Sequence, residues 1–278
     1  MTLFNDHFQN FKSYNIPRAQ LVIADIPYNI GINAYGSNPQ WYVGGDNANG
    51  ASELAGKSFF DTDANFKPAE FMHFCSKLMI KEPKERGKAP CMIVFCSFEQ
   101  QFHLIELARK HEINNYINLV FRKSFSAQVL KANMRIVGNA EYGLLLYRDK
   151  LPKFNNGGKM IFNVMDWEDK RDDLYEKIHP TQKPVALLEK LISIFTDPGD
   201  VVIDPCAGSG STIIAAHNLG RKGYGFEIKK DFFIRASAWI AHNACVKSEV
   251  TENGYSKTLA QKQNPCQSFL FSDNGGGN

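Results

Sequence analysis

Residues 201–220 read VVIDPCAGSGSTIIAAHNLG. An apolar β-branched run closes on Asp204 and Pro205, a short loop carries Gly208 and Gly210, and STIIAAHNLG then has helical spacing. Glycines let such a loop fold back tightly, and Ser209, Ser211 and Thr212 can cap the helix. The loop would bring backbone N–H groups to the C-terminal edge of a sheet, where open α/β proteins bind ligands. The next strand, KGYGFEI (222–228), delivers Glu227 to the end of the second strand of a βαβ unit. An acid there can accept both hydroxyls of a ribose. A dinucleotide fingerprint needs a third glycine where Ile213 stands, and the absence of Gly-Lys-Ser/Thr excludes a P-loop. The unit reads as a nucleoside site that makes no demand for phosphates.

The same alternation extends outward. LVIAD (21–25), CMIVFCS (91–97), YINLVF (116–121) and EYGLLLY (141–147) read as strands, with helices over 66–80, 98–111, 184–195, 211–220 and 231–244. The expected fold is α/β, a Rossmann-like, mostly parallel sheet with helices on both faces. Two long loops, 32–65 and 150–183, exceed what a compact domain needs and read as inserted recognition loops. One domain over 1–250 is expected, followed by a polar, flexible tail over 251–278 that ends SDNGGGN.

Hydrophobic residues at 44% and charged residues at 22% describe an ordinary soluble globular chain of 278 residues. A net charge of +3 argues only weakly for a polyanionic partner. No apolar run reaches membrane-spanning length, and the N-terminal segment lacks the layout of a signal peptide. The cysteines at 75, 91, 96, 206, 245 and 266 show no CxxC spacing, so reduced thiols in a cytoplasmic protein are expected, with no metal site.

Residues 24–31, ADIPYNIG, leave an apolar strand through an acid, a proline and a tyrosine, and HPTQKP (179–184) lies between the two halves. With DIPY (25–28), HPTQKP and DPCAGSGS (204–211) in that order, the chain resembles the S-adenosylmethionine-dependent amino-methyltransferases of DNA, β group. The resemblance covers roughly 20–245. It implies a catalytic half over about 20–150, a recognition segment over 150–178 and a cofactor half over 179–245.

The resemblance also implies roles. An exocyclic amine is a weak nucleophile because its lone pair is delocalised into the ring, so a site must hold the nitrogen toward sp³ geometry, in line with the methyl donor. Asp25 would accept one N–H and the Ile26 carbonyl the other, Pro27 would stiffen the turn, and Tyr28 would stack on a base flipped out of duplex DNA. For S-adenosylmethionine, Asp204, Gly208, Ser209 and Gly210 would lie near the methionyl part, Glu227 on the ribose, and Thr181 and Lys183 at the carboxylate or nearby backbone. His179 would order its turn rather than serve as a base. Within the family an Asp at the head of the motif accompanies adenine N6, and a Ser cytosine N4. The expected activity is therefore N6-adenine methylation of double-stranded DNA, with N4-cytosine methylation or a catalytically silent DNA-binding relative as alternatives. Ile26, where a first proline is usual, and Cys206, where an aromatic is common, depart from the family pattern. Tyr35 and Trp41 in the first loop, with Arg122, Lys123, Lys131 and Arg135, are the expected DNA contacts. A homodimer is also expected from the group.

Overall fold

The computed structural model describes residues 1–28, 66–124, 128–131, 136–168, 170–179 and 181–253. The strands are β1 (Thr2–Phe4), β2 (Leu21–Asp25), β3 (Cys91–Cys96), β4 (Asn115–Arg122), β5 (Gln128–Lys131), β6 (Ile136–Gly138), β7 (Ala140–Tyr147), β8 (Val164–Asp166), β9 (Val201–Asp204) and β10 (Lys222–Phe226). The helices are α1 (Pro68–Leu78), α2 (Phe98–Arg109), α3 (Val185–Phe195), α4 (Ser211–Asn218) and α5 (Lys230–Asn253). Eight strands form one sheet in the order β1-β10-β9-β2-β3-β7-β4-β8, and β5 pairs with β6 in a separate hairpin.

Strands β2 and β9 are parallel neighbours at the centre. From β2 the chain passes through α1 to β3 on one side, and from β9 through α4 to β10 on the other. That divergence is the topological switch point at which doubly wound sheets open a crevice. Within the large sheet β7 alone runs antiparallel, against β3 and β4. Its N-terminal residues therefore stand at the same edge as the C-terminal ends of β2 and β3, with Tyr142 opposite Cys96 and Glu141 opposite Phe121.

The period-2 alternation of β2 separates two cores. Leu21 and Ile23 face α3, α4 and α5, together with Leu188, Leu191, Ile213 and Trp239. Val22 and Ala24 face α1 and α2, with Phe71, Met72, Leu104 and Ala108. Because the central strands are covered on both faces, β3 is apolar throughout and wholly buried. Helix α1 begins with Pro68 in its first turn, where a missing N–H costs nothing, and α2 has a reciprocal capping box between Ser97 and Gln100.

The strands and helices expected from periodicity are present, with α5 continuing past 244 to Asn253. Strands β1 and β8 and the β5–β6 hairpin were not expected; three or four residues are too few for a period to register. Strand β8 lies inside the stretch expected to be an inserted loop and extends the sheet beside β4. Of the 251–278 tail, residues 254–278 lie outside the described residues, as does the 29–65 stretch that holds the whole of the first loop.

Gly225 on β10 lies against α4: a Cβ there would come within 2.7 Å of Ile213 Cδ1 and 2.8 Å of Ala207 Cβ. The Ala207 atom cannot rotate away, so Gly225→Ala should cost about 1–3 kcal/mol through overpacking. Urea denaturation should show a lowered midpoint at unchanged slope.

Candidate active site

A cleft of about 1060 Å³ opens along the sheet edge at the switch point, and it takes lining residues from both halves of the chain. Asp25, Ile26, Pro27, Tyr28, Thr181, Lys183, Asp204, Gly208, Ser209 and Glu227 all line it. Three motifs far apart in sequence thus share one wall.

On the cofactor side, the loop after β9 is braced by its own carboxylates. Asp204 Oδ1 accepts the Cys206 N–H at 2.9 Å, and Glu227 accepts the Gly208 N–H at 3.0 Å and the Lys229 N–H at 2.7 Å. Ser209 and Ser211 share a hydroxyl hydrogen bond of 2.8 Å. Gly208 and Gly210 both have positive φ, +50° and +80°, as the tight turn requires. Burial raises Asp204's carboxyl to about 7, opposed by hydrogen bonds from Thr212 and Cys206. Burial also raises Glu227, against the backbone N–H groups that bind it.

The HPTQKP turn packs onto this loop through His179. Its Nδ1 accepts the Thr181 N–H at 3.3 Å, and its ring meets Phe232 edge-on with centroids 4.4 Å apart. Burial, reinforced by Arg235, Lys183 and other nearby cations, pushes His179 down to about 4, so it is neutral at pH 7.

On the catalytic side, the Ile26 N–H continues the strand by donating to Phe95 O at 3.2 Å, and Gln100 Nε2 donates to the Pro27 carbonyl at 2.8 Å. The DIPY turn is thereby tied to β3 and to the capping box of α2. Asp25 Oδ2 accepts from Lys183 Nζ at 2.6 Å, whereas the buried Oδ1 has no close hydrogen-bond partner among the described residues; the Tyr28 hydroxyl also helps to hold the Asp25 carboxyl. Lys183 Nζ also bridges to Glu141 Oε2 at 3.1 Å, and the Tyr28 hydroxyl donates to that same oxygen at 3.4 Å. Lys123 completes the chain by pairing with Glu141 Oε1. Burial holds Asp25 above the usual carboxylate range, with Lys183 opposing and Glu141 reinforcing the shift.

Four expectations change. Lys183 does not reach out to the cofactor side; its ammonium sits between two carboxylates, where pairing offsets desolvation. Lys123 is not a phosphate contact, because it is buried, paired with Glu141 and stacked 4.3 Å from the centroid of Trp167. Arg122 is exposed but is engaged by Asp166 of β8 at 2.6 Å, an acid that opposes attraction to phosphate. Gly210 does not line the cleft: it turns the chain into α4, and a Cβ there would meet Ile240 Cδ1 at 2.7 Å. Tyr35, Trp41 and Arg135 lie outside the described residues; Lys131 is on β5, with its side chain outside them.

Glu141 and Trp167 escaped the sequence reading. Glu141 looks like the exposed start of an ordinary strand, and it reaches the site only because β7 is antiparallel, a property with no local signature. Trp167 follows the unrecognised β8. Among the described residues, no cluster of three or more His, Cys, Asp or Glu could hold a metal, and no helix is long and apolar enough to cross a membrane.

This fold and cleft define the class I methyltransferase architecture. The chain belongs to the DNA methylase family, whose N6/N4 methyltransferase model matches residues 19–237. It is 42% identical over 95 residues to the Escherichia coli K-12 DNA adenine methyltransferase YhdJ, covering 34% of this chain and 32% of that one. The match therefore spans about a third of that relative's length. The solved M1.HpyAVI–SAM complex shares the fold with a TM-score of 0.58 at 23% identity, covering 85% of this chain and 98% of that one. The PvuII DNA methyltransferase, cytosine-N4-specific, does so with a TM-score of 0.56 at 14% identity, covering 90% and 92%.

Asp204 gives a stability prediction. Its folded-state carboxyl is raised from 3.8 to about 7, so its contribution is fully present below pH 4 and is lost as pH rises through 7. Asp204→Asn cannot ionise and should stabilise the ligand-free protein by about 1–4 kcal/mol at pH 8. Thermal melts should show the gain at pH 8 and little of it at pH 4.

Proposed function

We propose that the protein is an S-adenosylmethionine-dependent DNA methyltransferase acting on N6 of adenine. The observation that carries this reading is the Asp25 carboxylate, which lines the cleft that also holds the glycine loop and Glu227 and whose buried Oδ1 has no close hydrogen-bond partner among the described residues. A buried acceptor left unpaired costs free energy, and a donor brought by a ligand recovers it. An exocyclic N–H is such a donor.

The cofactor half fits a cationic nucleoside ligand. Asp204 and Glu227 are both buried acids raised by desolvation, and Asp204 is raised further by Asp25 and Glu227. A positive ligand relieves that repulsion. Glu227, at the end of β10, would hold the ribose hydroxyls, with Gly208 and Ser209 along the methionyl portion and Thr181 at its carboxylate. When bound, S-adenosylmethionine supplies a methyl group made electrophilic by its sulfonium.

This chain's residues supply the rest. Asp25 accepts one amine hydrogen and turns the nitrogen lone pair toward the cofactor side of the cleft. Tyr28 offers its face to a base taken out of the duplex. Ionised Asp25 is the competent form, and its raised carboxyl places the acid limb of activity above the ordinary carboxylate range. Adenine is favoured over cytosine by the Asp at the head of the motif and by the adenine methyltransferase named as a relative. Tyr35, Trp41, Lys131 and Arg135 are proposed for DNA contact, and a homodimer acting in the cytoplasm belongs to the same proposal.

The test is incubation with methyl-labelled S-adenosylmethionine and unmethylated genomic DNA, followed by nucleoside digestion and mass analysis. Label in N6-methyladenosine is expected; label in N4-methylcytosine would overturn the base assignment, and no label the activity. Asp25→Ala should abolish transfer while cofactor titration stays unchanged. Glu227→Ala should weaken cofactor binding by about 1–3 kcal/mol through loss of a charged hydrogen bond, read by calorimetry.

A further inference from the structure

Lys123, Glu141, Lys183 and Asp25 form a chain of alternating charge that crosses the sheet edge, from β4 through β7 and the HPTQKP turn to β2. Three aromatic rings wall the central ammonium, with centroids of Phe95, Trp167 and Tyr28 at 5.2, 5.4 and 5.7 Å from Lys183 Nζ. Rings at that distance take the place of water around a cation while still attracting it. Lys183 is thus held in place by packing as well as by charge.

The chain has a mechanical consequence. Glu141 Oε2 is shared by Lys183 Nζ and the Tyr28 hydroxyl, so one carboxylate anchors both the group that binds Asp25 and the ring proposed to stack on the base. Lys183 in turn binds Asp25 Oδ2, and because Oδ1 is buried, the orientation in which the part-exposed carboxylate faces the cleft is set by that contact. A carboxylate free to rotate would offer either oxygen. This one cannot.

We infer that Lys183 and Glu141 are positioning residues of the catalytic acid: Glu141 fixes Lys183 and Tyr28, and Lys183 fixes the orientation in which the Asp25 carboxylate meets the target amine. The inference rests on the methyltransferase reading for its substrate, and it removes Lys183 from the cofactor ligands. Charge supports the geometry. The groups facing Asp25 are Lys183 from the turn before α3, Glu141 from β7, Tyr28 from its own loop, Cys96 from β3, and Asp204 and Cys206 from β9 and the loop after it. Lys183 favours the ionised form of Asp25, whereas Glu141, a like charge, disfavours it.

The two residues therefore make opposite predictions. Lys183→Met should move the acid limb of kcat to higher pH, because Asp25 loses its counter-charge. Glu141→Gln should move it to lower pH, because a neighbouring negative charge is gone. Both should lower kcat at the plateau, Lys183→Met by about 10- to 150-fold, the range for a lost charged hydrogen bond. Cofactor Kd should stay within about twofold of wild type.

A merely structural role would not shift the two limbs in opposite senses. Shifts of one sign, or none, would overturn the inference, as would a Kd that rises in step with the loss of kcat. Thermal melts establish that each variant is folded. Should Lys183→Met not fold, Lys183→Arg keeps the charge but changes the reach; it should lower kcat with little movement of the limb, and full activity would overturn the positioning role. A second readout needs no turnover: ¹³C titration of the Asp25 carboxyl, assigned by difference against Asp25→Asn, should show the same opposed shifts in the ligand-free protein. If wild type methylates no DNA, the functional reading fails on its own, and the carboxyl titration still decides the network.

Discussion

A carboxylate has to stay ionised at the closed end of a hydrophobic sheet, and the ammonium of Lys183 makes that tenable. The pair joins residues 158 positions apart, one at the end of β2 and one in the turn before α3. Neither half of the chain holds this site alone. Removing one partner of a buried ion pair leaves the other unpaired at a cost of about 3–5 kcal/mol. The contact that arms the acid is therefore also one that holds the two halves together.

The topology explains why so many acids meet at one place. Parallel strands end on the same edge, so β2, β9 and β10 deliver Asp25, Asp204 and Glu227 there, and antiparallel β7 adds Glu141 from its start. They are treated differently. Two lysines hold Glu141 below the ordinary range in spite of its burial. Asp25 has one lysine, and Asp204 and Glu227 rely mainly on N–H and hydroxyl donors, so burial prevails and all three are raised. The cleft is graded, from neutralised charge under the catalytic turn to unneutralised acid under the glycine loop. A cation is best received at the second end, where the proposed reading puts the sulfonium cofactor.

What the sequence made legible follows from what leaves a local trace. Long periodic runs, capping residues and the three motifs predicted the central strands, their covering helices and the residues that share the cleft. The misses are non-local. Strands β1 and β8 are three residues each, and the antiparallel setting of β7 depends on pairing partners that a linear reading does not contain. Lys183 is the clearest instance. Its motif brought it to the cleft, but its ammonium turns to Asp25 and Glu141, and the arrival of Glu141 could not be foreseen from the linear sequence. Lys123 failed likewise, since a basic residue at a strand end reads as surface until its partner is known.

The shared fold of adenine-N6 and cytosine-N4 enzymes bears on where base choice resides. Both bases present an exocyclic amine beside a ring nitrogen, so the clamp proposed for Asp25, gripping one amine hydrogen, would meet nearly the same edge in either. Discrimination has to come from the walls that accept or reject the rest of the ring. Tyr28 is one wall, tethered to Glu141. On the proposed reading Trp167 is another, fixed against Lys123 and Lys183 within the 150–178 segment expected to read DNA. The charge chain that orients the acid therefore also sets the distance between acid and wall. On the proposed reading, base selectivity and catalytic geometry are coupled through Glu141, and a change there should be felt in both.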